Sequence, residues 1–145
     1  MFRHILIPTD GSALSATAID KALAFAKDAG AKVTFMTVIE PFHVFSTHSD
    51  QLADTRANYE KHSKTQAAQR LADAKGKADA LGIACATVES EHDQPFQAII
   101  DAAKKAGCDL IAMASHGRRG MSALMLGSET TKVLTHSTIP VLVYR

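Results

Sequence analysis

Five short runs rich in branched and apolar residues punctuate the chain, at 3–8, 32–39, 83–89, 108–114 and 140–144. Each has the length of a strand. The first, second, fourth and fifth are nearly continuous in apolar character, the pattern of strands covered on both faces in a parallel sheet. Helical spacing fills the gaps. Ser12 is placed to cap a helix whose stripe is Leu14, Ala18, Ala22, Phe25, Ala26 and Ala29, with Gly30 as its stop. A long helical stretch spans 50–81, and its second half carries Ala67, Leu71, Ala74, Ala78 and Leu81 on one face before Gly82. Its first half, 51–65, is far more polar and reads as a solvated extension or a partly disordered segment. Pro95 opens a third helix where a missing N–H does no harm, with Phe96, Ile99, Ile100 and Ala103 inward and Gly107 as the stop. A last helix covers 129–135, ahead of the break at Ile139-Pro140. Strand and helix alternate throughout, so the expected class is α/β: an open parallel sheet with right-handed crossovers.

Composition narrows this further. With 145 residues, 46% hydrophobic and 21% charged, the chain suits a single domain, 1–145, with a core of its own. Sixteen basic and fifteen acidic side chains leave a net charge of +1. Binding along a phosphate backbone calls for a strong basic excess, so no nucleic-acid partner is expected. No run approaches the roughly eighteen apolar residues of a membrane span, and the first residues lack the pattern of a secretion leader. The expected location is cytoplasmic. Cys85 and Cys108 sit in apolar runs and read as buried free thiols.

In open parallel sheets, ligands sit beyond the carboxyl ends of the strands, where the strand order reverses. The segments to inspect are therefore Pro8-Thr9-Asp10-Gly11-Ser12, Val38-Ile39-Glu40-Pro41, and Ala114-Ser115-His116-Gly117-Arg118-Arg119-Gly120, with Gly127-Ser128 opening the last helix. Gly117 and Gly120 let the backbone turn and approach a ligand closely. The helix after Gly127 offers free amides and a positive dipole end to an anion, and the Ser128 hydroxyl can add a donor. The plainer account, at even weight, is a tight turn at Gly117 and Gly120 with Ser128 as an ordinary N-cap.

Other residues carry less. Asp10 can accept from a ribose hydroxyl or reach a metal, or it can cap the first helix. A phosphorylated-aspartate receiver would need a second acidic residue beside it, which is missing. His116 lacks a nucleophile and an orienting carboxylate, so it reads as a backbone-positioning residue. The remaining histidines, including His43 and His48 in the polar stretch 41–49, show no metal-site spacing. Of Arg118 and Arg119, at most one is expected to reach a phosphate. Glu129, in the first turn of the last helix, suits the dipole but repels a phosphate unless it turns away. Phe42 and Phe45 pack on a base or anchor their own loop. The last strand, 140–145, is a short apolar edge that a second copy of the chain would cover.

The stretch Ala114-Ser115-His116-Gly117, nine residues, then Gly127-Ser128 resembles the universal stress protein signature G-x2-G-x9-G-[S/T]. Pro8-Thr9-Asp10-Gly11-Ser12 and Pro140-Val141-Leu142-Val143 match the same family, and the resemblance runs from Ile5 to Tyr144. It implies a Rossmann-like, doubly wound five-stranded sheet in the order 3-2-1-4-5 and a homodimer through the C-terminal strand. In one branch of the family it also implies bound ATP, or AMP or cyclic AMP in some relatives. Positions matching Asp10 and Val38 would hold the adenosine end, Val38 through its backbone. Those matching Gly117, Gly127 and Ser128 would hold ribose and phosphates, bridged by Mg2+ or Mn2+, with Asp10 as a possible metal contact. The site implied comprises Pro8, Thr9, Asp10, Val38, Met113, Ala114, His116, Gly117, Arg118, Gly120, Gly127, Ser128, Glu129 and Thr130. Ala114 departs from the pattern, standing where its first glycine belongs; the intact remaining glycines imply that binding is retained.

The expected function is an adenine-nucleotide-binding, dimeric stress-response or regulatory protein, signalling to a regulatory protein partner through ordering of 117–127 and 41–49 on occupancy. The alternatives are a nucleotide-independent dimeric interaction module and a slow ATPase or nucleotidyl transferase.

Overall fold

The computed structural model describes residues 1–42, 49–117 and 126–145, with 49–53 described by backbone alone. Strands β1 (His4–Pro8), β2 (Lys32–Ile39), β3 (Cys85–Glu91), β4 (Leu110–Ala114) and β5 (Val141–Tyr144) alternate with helices α1 (Ala13–Ala29), α2 (Ser49–Ala80), α3 (Pro95–Ala106) and α4 (Ser128–His136). The strands form one sheet in the order β3-β2-β1-β4-β5, every pair parallel. The chain winds outward from β1 through β2 to β3, then returns to β4 on the other side of β1. The order reverses between β1 and β4.

Side chains alternate across each strand, so one strand feeds two cores. Ile5, Ile7, Val33, Phe35 and Ala112 pack under α1 and α2, while Leu6, Met36, Ile111 and Met113 pack under α3 and α4. Covering both faces is what makes the central strands read as unbroken apolar runs.

The helix ends follow local chemistry. The Ser12 hydroxyl accepts from the amide of Ser15 at 3.1 Å, and Gly30 closes α1 in the left-handed region at φ 66°. The buried stripe of α1 is Ser15, Ala18, Ile19, Ala22, Leu23 and Ala26. It is rotated from the expected one: Leu14, Phe25 and Ala29 sit at its half-buried margin.

Two further expectations shift at α2 and β3. Leu81 is exposed, and Ile83 is buried in its place. After the left-handed turn at Gly82, the Ile83 amide bonds back to the carbonyl of Ala78 at 3.0 Å. Ile83 therefore serves as the hydrophobic closure of the helix end, and strand pairing with β2 begins at Cys85. Cys85 is only half-buried, whereas Cys108 is buried, and both thiols are free.

The polar first half of α2 is helical, with 54–62 exposed. Surface pairs such as Arg56–Glu60 at 3.0 Å support it, and the Tyr59 hydroxyl donates to the carbonyl of Glu40 at 2.8 Å. No helix among the described residues is long and apolar enough to cross a membrane.

Candidate functional site

A cleft of about 370 Å3 opens at the carboxyl ends of β1, β2 and β4, beside the point where the strand order reverses. Its volume lies in the range of small-molecule sites, and its place is where open α/β sheets hold ligands. Each wall is fixed by hydrogen bonds, some within one segment and others between segments far apart in sequence.

The β1 exit is held by buried hydroxyls. Thr37 donates to the carbonyl of Thr9 at 2.8 Å, and Ser15 donates to the Thr9 hydroxyl at 3.0 Å. Asp10 then turns back on the chain, one carboxylate oxygen accepting from the Ser12 amide at 2.9 Å. This is the self-bonded turn that aspartate favours, and it leaves the capping of α1 to Ser12. Gly11 has φ 79°, and a β-carbon there would sit 2.6 Å from the Arg70 Nε of α2. The positive φ is what calls for glycine, since the Arg70 side chain can move aside.

The β4 exit is tied to α4 and β5. The Ser115 amide donates to the Tyr144 carbonyl at 2.8 Å, and the Ser115 carbonyl accepts from Gly127 at 2.8 Å. The Thr130 hydroxyl donates to the carbonyl of Ala114 at 3.0 Å. Together these bring the first turn of α4 onto the end of β4. Gly127 is the N-cap, so Ser128 is the first helical residue rather than the cap. A glycine offers no side chain to the amides of Ser128, Glu129 and Thr130, which lie at the end of a helix that attracts anions. The Gly127 amide itself is spent on Ser115 and is not available to a ligand.

Twelve of the fourteen expected site residues line this one cleft: Pro8, Thr9, Asp10, Val38, Met113, Ala114, His116, Gly117, Gly127, Ser128, Glu129 and Thr130. Arg118 and Gly120 lie outside the described residues, as do Arg119, His43, Phe45 and His48 and most of 117–127 and 41–49. Phe42 packs on Tyr59, ring centroids 5.3 Å apart, and so anchors its own segment.

A family model for universal stress proteins matches residues 1–145. The universal stress protein YxiE of Bacillus subtilis is 31% identical over 149 residues, covering all of both chains. The chain belongs to the universal stress protein family.

Among solved structures, the hypothetical protein MJ0577 of Methanocaldococcus jannaschii superposes with a TM-score of 0.83, at 24% identity over 99% of this chain and 95% of that one. A universal stress protein in complex with cAMP matches at TM-score 0.68, with 23% identity over 99% of this chain and 97% of that one. The Archaeoglobus fulgidus universal stress protein in complex with dAMP matches at 0.65, with 16% identity over 100% and 98%. At such identities these three establish the shared fold.

In this universal stress protein the signature glycines answer to space rather than to backbone angle. Among the described residues, positive φ occurs at Gly11, Gly30, Gly82 and Gly107, not at Gly117 or Gly127. A β-carbon at Gly117 would lie 2.7 Å from an Asp10 carboxylate oxygen, the end of a side chain that can give way. One at Gly127 would lie 3.2 Å from the Ser115 carbonyl and 3.3 Å from the His116 α-carbon. Ala114, by contrast, is the last residue of β4, paired with Tyr144. Its φ is negative, so the methyl brings no strain and simply lines the cleft.

The conflict over Glu129 is resolved by direction. Its carboxylate accepts from the Phe96 amide of α3 at 2.8 Å and faces Lys132 at 3.4 Å. His116 has a serine partner that the sequence pattern did not suggest: its Nδ1 lies 2.9 Å from the Ser115 hydroxyl. Ser115 is 2% exposed, out of reach of a substrate, and the His116 Nε2 is buried with no hydrogen-bond partner among the described residues. Of the pair, His116 lines the cleft and Ser115 does not.

The cleft also contains Ser15, Met36, Asp93, Pro95 and Ile99, which no sequence signal marked, and Glu40, which lies in an expected segment without being singled out. Met36 and Ile99 looked like ordinary core positions. Asp93 precedes and Pro95 opens α3, whose start is brought to the site only by the crossover from β3 to β4. No group of three or more potential metal ligands occurs among the described residues.

Proposed function

We propose that this universal stress protein binds an adenine nucleotide in the cleft and serves a stress-response or regulatory role through that binding. The observation carrying the proposal is the glycine-capped start of α4, whose first turn, Ser128 to Thr130, lines a cleft of about 370 Å3. The complexes of two family members with cAMP and with dAMP support an adenine ligand.

The apolar wall of Met36, Val38, Ile99 and Met113 suits the base, with the Val38 backbone beside it. Asp10 suits the ribose, and the Ser128–Thr130 turn suits phosphate. Three further acidic residues, Asp10, Glu40 and Asp93, also line the cleft. ATP bound there would bring Mg2+ or Mn2+ on its phosphates, with Asp10 as the candidate protein ligand; AMP or cyclic AMP would need less compensation.

The test is to denature purified protein and identify what it releases by mass spectrometry. Near one adenine nucleotide per chain is the expected result. Neither released nucleotide nor calorimetric heat with purine mono-, di- or triphosphates, metal included, would overturn it. A nucleotide-independent dimeric interaction module would then remain. One observation favours that second reading: protein backbone alone accounts for the glycine at 127.

A further inference from the structure

We propose that Glu129 is a positioning residue, which fastens the start of α3 to the start of α4 and so sets the spacing of the two helix ends that wall the cleft. The inference rests on the nucleotide reading of that cleft and deepens it.

α3 begins without a cap of its own. Its N-cap residue, Gln94, makes no side-chain capping bond, and Pro95 has no N–H to satisfy. The amides of Gln97 and Ala98 return to the Gln94 carbonyl at 3.1 and 3.2 Å. Phe96 is left as the donor in need, and its amide is half-buried. It finds its acceptor 33 residues onward, in the Glu129 carboxylate at 2.8 Å.

The other carboxylate oxygen faces the Lys132 ammonium at 3.4 Å, one turn along α4. Lys132 in turn lies 5.6 Å from the centroid of the Phe96 ring, which packs on His136 at 5.1 Å. Glu129, Phe96 and Lys132 thus form a closed junction between the two helices.

The physical logic explains why a carboxylate is tolerated in the first turn of an anion-facing helix. Two positive helix ends converge on it, and a charge-assisted hydrogen bond with an amide turns it toward α3. Without that acceptor the Phe96 amide is stranded at a partly buried position, and the start of α3 has lost its fastening. Pro95 and Ile99, which wall the cleft, ride on that start. The effect therefore falls on the part of the ligand that touches α3, not on phosphate.

A phosphate-free ligand separates this role from simple repulsion. Adenosine and AMP are titrated into wild type, Glu129→Ala and Glu129→Gln. Glu129→Ala is expected to weaken both ligands by about tenfold, and Glu129→Gln, which keeps a carbonyl acceptor, to restore adenosine to within about twofold of wild type. Unchanged adenosine affinity in Glu129→Ala, or no rescue by Glu129→Gln, overturns the proposal. A second reading needs no ligand: exchange of the Phe96 amide in nucleotide-free protein should speed up about tenfold in Glu129→Ala and stay slow in Glu129→Gln. If wild type itself binds neither ligand, the nucleotide reading fails, while the Phe96 amide still decides for or against the fastening. Equal Phe96 exchange in all three proteins refutes it.

Discussion

At Gly127 the lost side chain creates room for one backbone to lie against another. The residue has φ −63° and ψ 154°, angles open to any amino acid, so the demand for glycine comes from Ser115 and His116 crossing beneath it. Gly127→Ala should therefore leave the fold in place while pushing the first turn of α4 off the end of β4 by a few tenths of an ångström. The expected cost is about 1–3 kcal/mol of stability, as for other overpacked sites, with nucleotide affinity reduced by about tenfold. Thermal melts and calorimetric titration read the two effects separately. Full affinity in the variant would place the anion contact elsewhere. Such a residue is conspicuous in a sequence but its reason is not: the spacing of Gly117 and Gly127 flagged the site, whereas the atoms they make room for, Asp10 and Ser115, come from other segments.

Among the elements, strand β5 carries the clearest consequence. It is the outer strand beside β4, and its four residues are all half-buried. The carbonyls of Pro140 and Tyr144 accept from Ile111 and Ser115 of β4. Peptide groups alternate in direction along a strand, so those of Val141 and Val143 face the open side. That edge is a template for a second copy of the chain, which is how we propose the homodimer forms. Val143→Pro removes one outward N–H and no bond to β4, a substitution edge strands tolerate. A folded monomer by light scattering is the expected outcome, and a dimer as stable as wild type would exclude this edge. The existence and type of every element were legible in the periodicity. Their edges were less so, because Ile83 reads equally well as strand or as helix closure and only packing under α1 and α2 separates the two.

For the molecule as a whole, the end of the sheet opposite the cleft governs the response to acid. There Asp109 accepts from the amides of Arg3 at 2.9 Å and His4 at 3.0 Å, joining β4 to β1. Burial works to raise its carboxyl, but those amides, together with its own amide and the nearby His4, hold it below the ordinary value. His4 bonds through Nε2 to the Thr34 hydroxyl of β2 at 2.7 Å. Burial first, and then Lys32, press its pKa below 6.5, against the pull of Asp109 and the Ala106 carbonyl. A histidine with a lowered folded pKa binds protons more readily when unfolded, so its stability contribution is complete above 6.5 and lost as pH falls through the folded value. Asp109 adds a second loss only in the acid range below 3.8. Urea midpoints at pH 7.5 and 5.5 should therefore fall less in His4→Gln than in wild type. Equal falls would show that His4 does not couple folding to pH.

Hydrophobic periodicity determined the strands, the helices and their alternation, because continuous apolar runs and helical stripes are statements about which backbone can bury which side chains. The glycine signature pointed to segments that the fold brings to the cleft. The tertiary structure alone decided which surfaces meet there: that Met36 and Ile99 reach the cleft, that Ser115 rather than a ligand takes the Gly127 amide, and that Glu129 turns to Phe96. Each of those contacts joins residues far apart in sequence, and no local pattern encodes a partner brought in by a crossover.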